Sequence, residues 1–340
     1  PPRSRRQNRT EALAKDLESG ERAGMTARDH TLLLAVPLNY AGLWTAPLAK
    51  LAPDLKAPVH GRDAYAPEDV DYALSFRPEP GLLKSLPNLQ AVFSLGAGVD
   101  GFLTDPTYPK TVPLVRFVDR GLSREMAQYV LLHTLMFHRQ QRYFDRMQAE
   151  HKWRQTFPPR RTEDTRIGIL GLGEIGTLAA THLRDLDFKV AGWSRSRKNV
   201  AGIESFAGAD ELTAFLARTD VLVCVLPLTP DTRNILNRET FAALPAGAFV
   251  INVARGGHLV EDDLIAAIDS GHLAGAALDV FQVEPLPESS PLWAHSKITV
   301  TPHVAGMSDP LAATKWVLDG MARHARGEKL ANIVDMNLGY

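Results

Sequence analysis

The sequence predicts a two-domain α/β protein in which each domain is built on a doubly wound parallel sheet, and three observations carry this prediction. The chain has 340 residues, more than a single hydrophobic core ordinarily serves. From residue 166 to residue 301 short apolar runs alternate with helical patterns, the order that builds a parallel sheet with helices on both faces. At the first junction of run and helix stands Gly171-Leu172-Gly173-Glu174-Ile175-Gly176, a glycine-rich turn of the kind that opens a helix directly after a strand.

Taken in order, the elements begin at Leu32-Leu33-Leu34-Ala35-Val36, a buried strand ended by Pro37. Residues 71–76 and 89–94 read as further strands of the same small unit, whose connections are short and punctuated by prolines. Met126, Val130, Leu131, Leu135 and Met136 recur at three- and four-residue spacing and predict one helix over residues 123–146. Residues 151–165 carry Pro158, Pro159 and several arginines and read as a loop. Strands follow at 166–170, 188–193, 221–226, 248–253, 275–280 and 298–301, and a helix at 312–325. This organisation divides the chain into residues 29–119 with 307–340 as one domain and residues 120–306 as the other. Residues 1–28 are expected to be a disordered extension: the stretch carries Arg3, Arg5, Arg6 and Arg9 and also Glu11, Asp16, Glu18 and Glu21, with too little apolar surface to offset the entropy of ordering.

Composition narrows the function. Hydrophobic residues make up 45% and charged residues 23% of the chain, and the formal charge is −1. Such a balance gives no general attraction to nucleic acid or acidic membranes, so an anion must be captured by a local site. No apolar run approaches the roughly 20 residues that span a bilayer. The only cysteine, Cys224, lies inside the apolar run 221–226 and reads as a core residue, so no intrachain disulfide is available. These features fit a reducing cytoplasm, and no metal-ligand cluster is expected.

The glycine turn has a physical logic. The first glycine permits the tight turn, the second lets the backbone approach a pyrophosphate, and the third lets helix pack on strand while the helix N-terminus faces the anion. A dinucleotide cofactor follows from a strand before the turn, a helix after it and a second strand at 188–193. NAD enzymes place an acid at the end of that second strand for the ribose hydroxyls. Here the strand runs into Ser194-Arg195-Ser196-Arg197-Lys198, where a hydroxyl and a row of cations suit the extra 2′-phosphate of NADP. NADP is the preferred cofactor on this reading, and NAD remains open.

Downstream stand Asn252-Val253-Ala254-Arg255-Gly256-Gly257, then residues 277–287 with Asp279 and Glu284-Pro285-Leu286-Pro287, then Thr301-Pro302-His303-Val304-Ala305-Gly306. Each key residue follows a predicted strand, and open α/β sheets bind ligands at that edge. Arginine can grip a carboxylate or keto oxygen through two parallel donors. Histidine is the natural proton donor near neutral pH, and a carboxylate beside it fixes its orientation. Arg255, Glu284 and His303 therefore form the expected catalytic group.

Through these segments, most specifically Val253 to Pro287, the chain resembles the D-isomer-specific 2-hydroxyacid dehydrogenases. Ser94-Leu95-Gly96-Ala97-Gly98-Val99-Asp100, Trp193-Ser194-Arg195 and Glu284-Pro285-Leu286-Pro287 bring it nearest to the bacterial glyoxylate/hydroxypyruvate reductases. The resemblance implies a Rossmann nucleotide-binding domain and a smaller flavodoxin-like substrate domain. It implies that Arg255 binds and polarises the substrate, that His303 is the acid/base, and that Glu284 is its partner. It further implies that the amides of Gly96, Ala97 and Gly98 receive the substrate carboxylate across an interdomain cleft, and that Asp279 holds the nicotinamide carboxamide. Gly171, Leu172, Gly173, Glu174, Ile175, Gly176, Ser194, Arg195, Leu226, Pro227, Thr232 and Val253 would contact the cofactor. A homodimer is implied, with a small 2-oxo acid such as glyoxylate or hydroxypyruvate as substrate and no nucleic-acid or membrane partner. Trp44, Arg77 and Trp153 are candidates for the wall that selects the substrate's C3 end.

Two rival readings share the motifs. A formate dehydrogenase of the same family would carry glutamine in place of Glu284. A non-catalytic NAD(P)-sensing protein would not need the Arg–Glu–His set. NADPH oxidation in the presence of glyoxylate separates enzyme from sensor.

Overall fold

The computed structural model describes residues 30–96, 98–118, 120–156 and 161–336. The extension expected at 1–28, the position of Ala97 and the Pro158-Pro159 pair lie outside the described residues. The chain forms two compact units. The smaller comprises residues up to Leu95, Asp105–Phe117 and Pro310–Ile333; the larger comprises Gly96–Thr104, Val118–Asp309 and the residues from Val334 on.

The smaller unit holds a four-stranded parallel sheet of β1 (Leu32–Ala35), β2 (Tyr72–Ser75), β3 (Ala91–Ser94) and β4 (Leu114–Arg116), in that order. β1, β2 and β3 are buried throughout, as expected for strands covered on both faces. Helices α1 (Ala41–Leu51) and α9 (Pro310–Ala325) belong to this unit. Trp44 and Leu48 of the first and Ala313, Val317 and Met321 of the second share one core with Leu32, Leu34, Tyr72 and Phe93. Proline at the start of α9 needs no hydrogen-bond partner there and presets the helical φ.

The larger unit is a seven-stranded parallel sheet in the order β11-β10-β9-β8-β5-β6-β7. Its strands are β5 (Arg166–Leu170), β6 (Lys189–Ser194), β7 (Glu204–Ala207), β8 (Val221–Cys224), β9 (Ala248–Asn252), β10 (Leu273–Leu278) and β11 (Ile298–Val300). Numbered within the unit, this is the doubly wound order 3-2-1-4-5-6 with one more strand at the far edge, and the order reverses between β5 and β8. Leu170, Trp193, Leu222, Cys224, Val250 and Leu278 pack into one core. Their strand neighbours Ile169, Val190, Val223, Ile251 and Ala277 pack into another, so alternate residues feed opposite faces.

The first of these cores takes side chains from α6 (Leu212–Ala217), α7 (Arg238–Ala243) and α8 (Glu261–Asp269). The second takes them from α3 (Arg120–His138) and α5 (Glu174–Arg184), and the short α2 (Asp100–Leu103) belongs to the same unit. Burial pushes the Cys224 thiol up to about 12, which leaves it a core residue without a reactive thiolate. The helix expected over 123–146 is instead α3 followed by α4 (Gln141–Ala149), with Gln140 in the left-handed conformation at φ 58° ending the first. No helix among the described residues is long and apolar enough to cross a membrane.

Candidate active site

The strand ends that carry the glycine turn, Ser194, Arg255, Glu284 and His303 belong to the larger unit. After β5, Gly171 adopts φ +105°, and its amide donates to the Trp193 carbonyl at 2.8 Å. A Cβ on Gly171 would stand 3.0 Å from the Val225 carbonyl oxygen, and one on Gly176 only 1.8 Å from that of Gly171. A Cβ on Gly173 would meet nothing within 4 Å. The outer glycines are thus required by turn and packing, and the middle one leaves open space at the N-terminus of α5, where unpaired amides favour an anion. Leu172 is buried over Gly192, where a Cβ would come within 2.4 Å of its side chain. Glu174 accepts from the Ser123 hydroxyl at 3.3 Å, and Ile175 is half-buried. These glycines fit the pyrophosphate of a dinucleotide.

At the end of β6, Ser194 is buried and its hydroxyl donates to the Ser196 carbonyl at 2.8 Å. Arg195 is exposed. Arg197 donates to the Ser205 carbonyl and to Glu211, which also accepts from the Ala207 amide at 2.7 Å. The basic turn is therefore strapped to β7 through Arg197, and Arg195 is exposed at the strand end. After β8, Leu226 is buried, and the Thr232 hydroxyl donates to the Pro227 carbonyl at 2.7 Å while accepting from the Thr229 amide at 2.8 Å. The Thr232 side chain thus folds the loop that would flank the adenosine.

The loop after β9 carries Val253, which is buried, and then Arg255 in extended backbone. The Arg255 Nε donates to Asp100 Oδ1 at 2.7 Å and its Nη1 to the Ala254 carbonyl at 2.6 Å. Its Nη2 lies against Gly98, where a Cβ would come within 1.7 Å. The structure thus brings Arg255, Gly98 and Asp100 together. Nothing in the spacing of Asp100 announces a pairing with a residue so distant in sequence. Gly256 supplies the next link, because its Cβ would fall 1.9 Å from the Phe281 backbone. The loop after β9 and the loop after β10 therefore touch through bare backbone.

In that second loop, Glu284 Oε1 accepts from the Phe281 amide at 3.0 Å and Oε2 pairs with His303 Nδ1 at 2.9 Å. The Glu284–Pro285 peptide is cis. His303 itself sits at φ 56°, a conformation that costs a non-glycine residue free energy and is held only by its surroundings. Asp279 supplies that restraint. Its carbonyl accepts from the His303 amide at 2.8 Å. Its carboxylate accepts from the amides of Val304 and Ala305, each at 2.9 Å, and from the Thr301 hydroxyl at 2.6 Å. Tyr129 closes the network through Thr301 at 2.6 Å, and burial raises the Tyr129 phenol well above its ordinary range. Neither Tyr129 nor Thr301 stands out in the sequence, since the first reads only as part of a helical face.

Elsewhere, Trp44 is buried in the core of the smaller unit, Arg77 stacks 5.3 Å above the Phe76 ring, and Trp153 is 91% exposed. Among the described residues no group of acidic, histidine or cysteine side chains could hold a metal ion.

Comparison with known proteins agrees with this geometry. Residues 131–305 match the family described as D-isomer specific 2-hydroxyacid dehydrogenase, NAD binding domain. Glyoxylate/hydroxypyruvate reductase A of Serratia proteamaculans (strain 568) is 40% identical over 312 residues, 89% of this chain and 98% of the relative. The NADPH-dependent glyoxylate/hydroxypyruvate reductase of Sinorhizobium meliloti, solved with NADP and sulfate, has a TM-score of 0.85 at 40% identity, covering 92% of this chain and 100% of that one. A D-isomer specific 2-hydroxyacid dehydrogenase of Xanthobacter autotrophicus Py2, solved with NADPH and MES, gives the same TM-score, identity and coverage: 0.85, 40%, 92% and 100%. With strand order, glycine turn and the His303–Glu284 pair in place, the chain belongs to the D-isomer specific 2-hydroxyacid dehydrogenase family.

Proposed function

We propose that the protein reduces a small 2-oxo acid, glyoxylate or hydroxypyruvate, to the corresponding 2-hydroxy acid with NADPH. The observation that carries this reading is the His303 Nδ1–Glu284 Oε2 pair at 2.9 Å, on the same sheet edge as the glycine turn after β5. NADPH, when bound, supplies the hydride. Gly171, Gly173 and Gly176 hold its pyrophosphate, Ser194 and Arg195 recognise the 2′-phosphate, and Leu226, Pro227, Thr232 and Val253 flank the rest of the cofactor.

With Nδ1 engaged by Glu284, Nε2 of His303 is the atom that gives its proton to the ketone oxygen as charge develops there. Arg255, braced at Nε and Nη1, stabilises that charge and binds the substrate carboxylate with the backbone at 96–98. Asp279 fixes the conformation of the His303 loop, and with it the direction of the imidazole. In this reading residues 120–306 form the nucleotide-binding domain, and residues 29–119 with 307–340 the substrate domain. The enzyme works in the cytoplasm as a homodimer. The test is NADPH oxidation with each 2-oxo acid: the reading expects turnover with glyoxylate or hydroxypyruvate, and NADPH binding with no turnover on any small 2-oxo acid refutes it.

A further inference from the structure

His258 is completely buried at the end of a short 3-10 turn, Gly256–His258, directly after Arg255. Its Nε2 lies 3.2 Å from the Pro227 carbonyl oxygen and its Nδ1 lies 3.1 Å from the Arg255 carbonyl oxygen. One ring thus spans the loop after β8 and the backbone of Arg255. The two carbonyls are not equivalent. That of Arg255 already accepts from the Asn252 side-chain amide at 3.1 Å and from the His258 amide at 3.2 Å. That of Pro227 has the Thr232 hydroxyl. Burial lowers the imidazole pKa, so the ring is neutral near pH 7 and has one N–H to give. The carbonyl with fewer donors is the one that needs it.

We propose that His258 is a positioning residue whose Nε2–H anchors the Pro227 carbonyl to the turn that carries Arg255, so that cofactor loop and substrate arginine share one buried strut. The inference rests on the reading that the 226–227 segment meets the cofactor and Arg255 the 2-oxo acid. The backbone bonds Asn234 N to Gly257 O at 2.9 Å and Leu236 N to His258 O at 2.8 Å already join the two segments further along. At the end nearest Arg255, the tie is the imidazole. Pro227 itself is exposed, and besides the ring its carbonyl accepts from the Thr232 hydroxyl.

Two near-isosteres separate the contacts. The glutamine amide reaches the position of Nε2, and the asparagine amide reaches only that of Nδ1. His258→Asn removes the donor to Pro227 and should weaken NADPH binding about tenfold, the scale of one lost buried hydrogen bond. The KM for the 2-oxo acid should rise with it, more than kcat falls. His258→Gln should recover most of both losses. In an Arg255→Lys background the effect of His258→Asn on the 2-oxo acid KM should shrink, because the residue acts through Arg255.

NADPH affinity is read by fluorescence titration without 2-oxo acid, and melting temperature is read in parallel. NADPH binding without reduction of any 2-oxo acid is a failure of the functional reading. Failure of this inference is a different result: asparagine and glutamine variants that weaken NADPH equally and in step with melting temperature, or an asparagine variant with wild-type affinity and KM.

Discussion

Arg255 is braced at two of its nitrogens by groups of its own unit, Asp100 and the Ala254 carbonyl. A planar fork held this way is already oriented, so little side-chain freedom is lost when a carboxylate arrives. Arg255→Lys keeps the charge and loses the fork; KM should rise and kcat should fall, and wild-type kinetics would reduce the residue to a surface charge. Gly98→Ala is the sharper probe. The new methyl group would meet the far end of the Arg255 side chain at 1.7 Å, and a flexible side chain can yield where backbone cannot. The variant should therefore melt near the wild-type temperature with a raised KM for the 2-oxo acid. Unchanged KM would show that the guanidinium position is unimportant. His303→Ala should lower kcat by about 10²–10⁴, the range for one acid/base group, with Glu284→Gln milder. Undiminished turnover in the alanine variant would remove His303 from the chemistry.

The turn after β5 makes a prediction that separates binding from folding. At Gly176 an added Cβ would lie 1.8 Å from the Gly171 carbonyl oxygen, whereas at Gly173 it would enter open space. Gly176→Ala should lower the melting temperature or prevent folding, and Gly173→Ala should keep the fold and weaken NADPH, as thermal melts and cofactor titrations can show. In the proposed function the turn after β6 decides between cofactors. Ser194→Asp should tilt the enzyme toward NADH through repulsion of the 2′-phosphate. Arg195→Ala should cost NADPH about ten- to a hundredfold in kcat/KM, the value of one charge-assisted bond, and NADH much less. Equal losses for both would place Arg195 in solvent only.

These turns were legible in the sequence because their glycines and strand-end residues announce themselves by type and spacing. What was not legible lacked such a signal. β4 is only three residues long, and β7 is an edge strand, exposed or half-buried along its length, without an apolar run. The break between α3 and α4 falls at Gln140, neither glycine nor proline, within an otherwise helical pattern. Asp100, Thr301, Tyr129 and His258 act through contacts between residues far apart in sequence, which periodicity cannot reveal.

The larger unit carries a pH dependence of its own. Burial lowers the pKa of His133, His138 and His258 below the ordinary 6.5, so each gives up its proton more readily in the fold. The unfolded chain regains the ordinary value. Between the lowered values and 6.5 it therefore binds more protons than the native state, and stability rises with pH there. Below about pH 6.5 stability should fall as the pH is lowered. Denaturant melts from pH 8 to pH 5 should show this loss, reduced in His133→Phe; a flat profile would contradict it. The division into units has a consequence for biosynthesis. The chain crosses between them at 95/96, 104/105, 117/118, 309/310 and 333/334. The core of the smaller unit includes Ala313, Val317, Met321 and Leu330, and β4 receives the Asn332 carbonyl on its Arg116 amide at 3.1 Å. On the ribosome, where chains emerge at roughly 5–20 residues per second, β1 to β3 must wait for α9, which is made after the larger unit's sheet. The larger unit's two cores draw on residues that all precede 309, so they can close earlier. The smaller unit, whose sheet is made before that of the larger one, thus completes its core after it, and its apolar strands β1 to β3 are what a nascent chain must keep from aggregating in the interval.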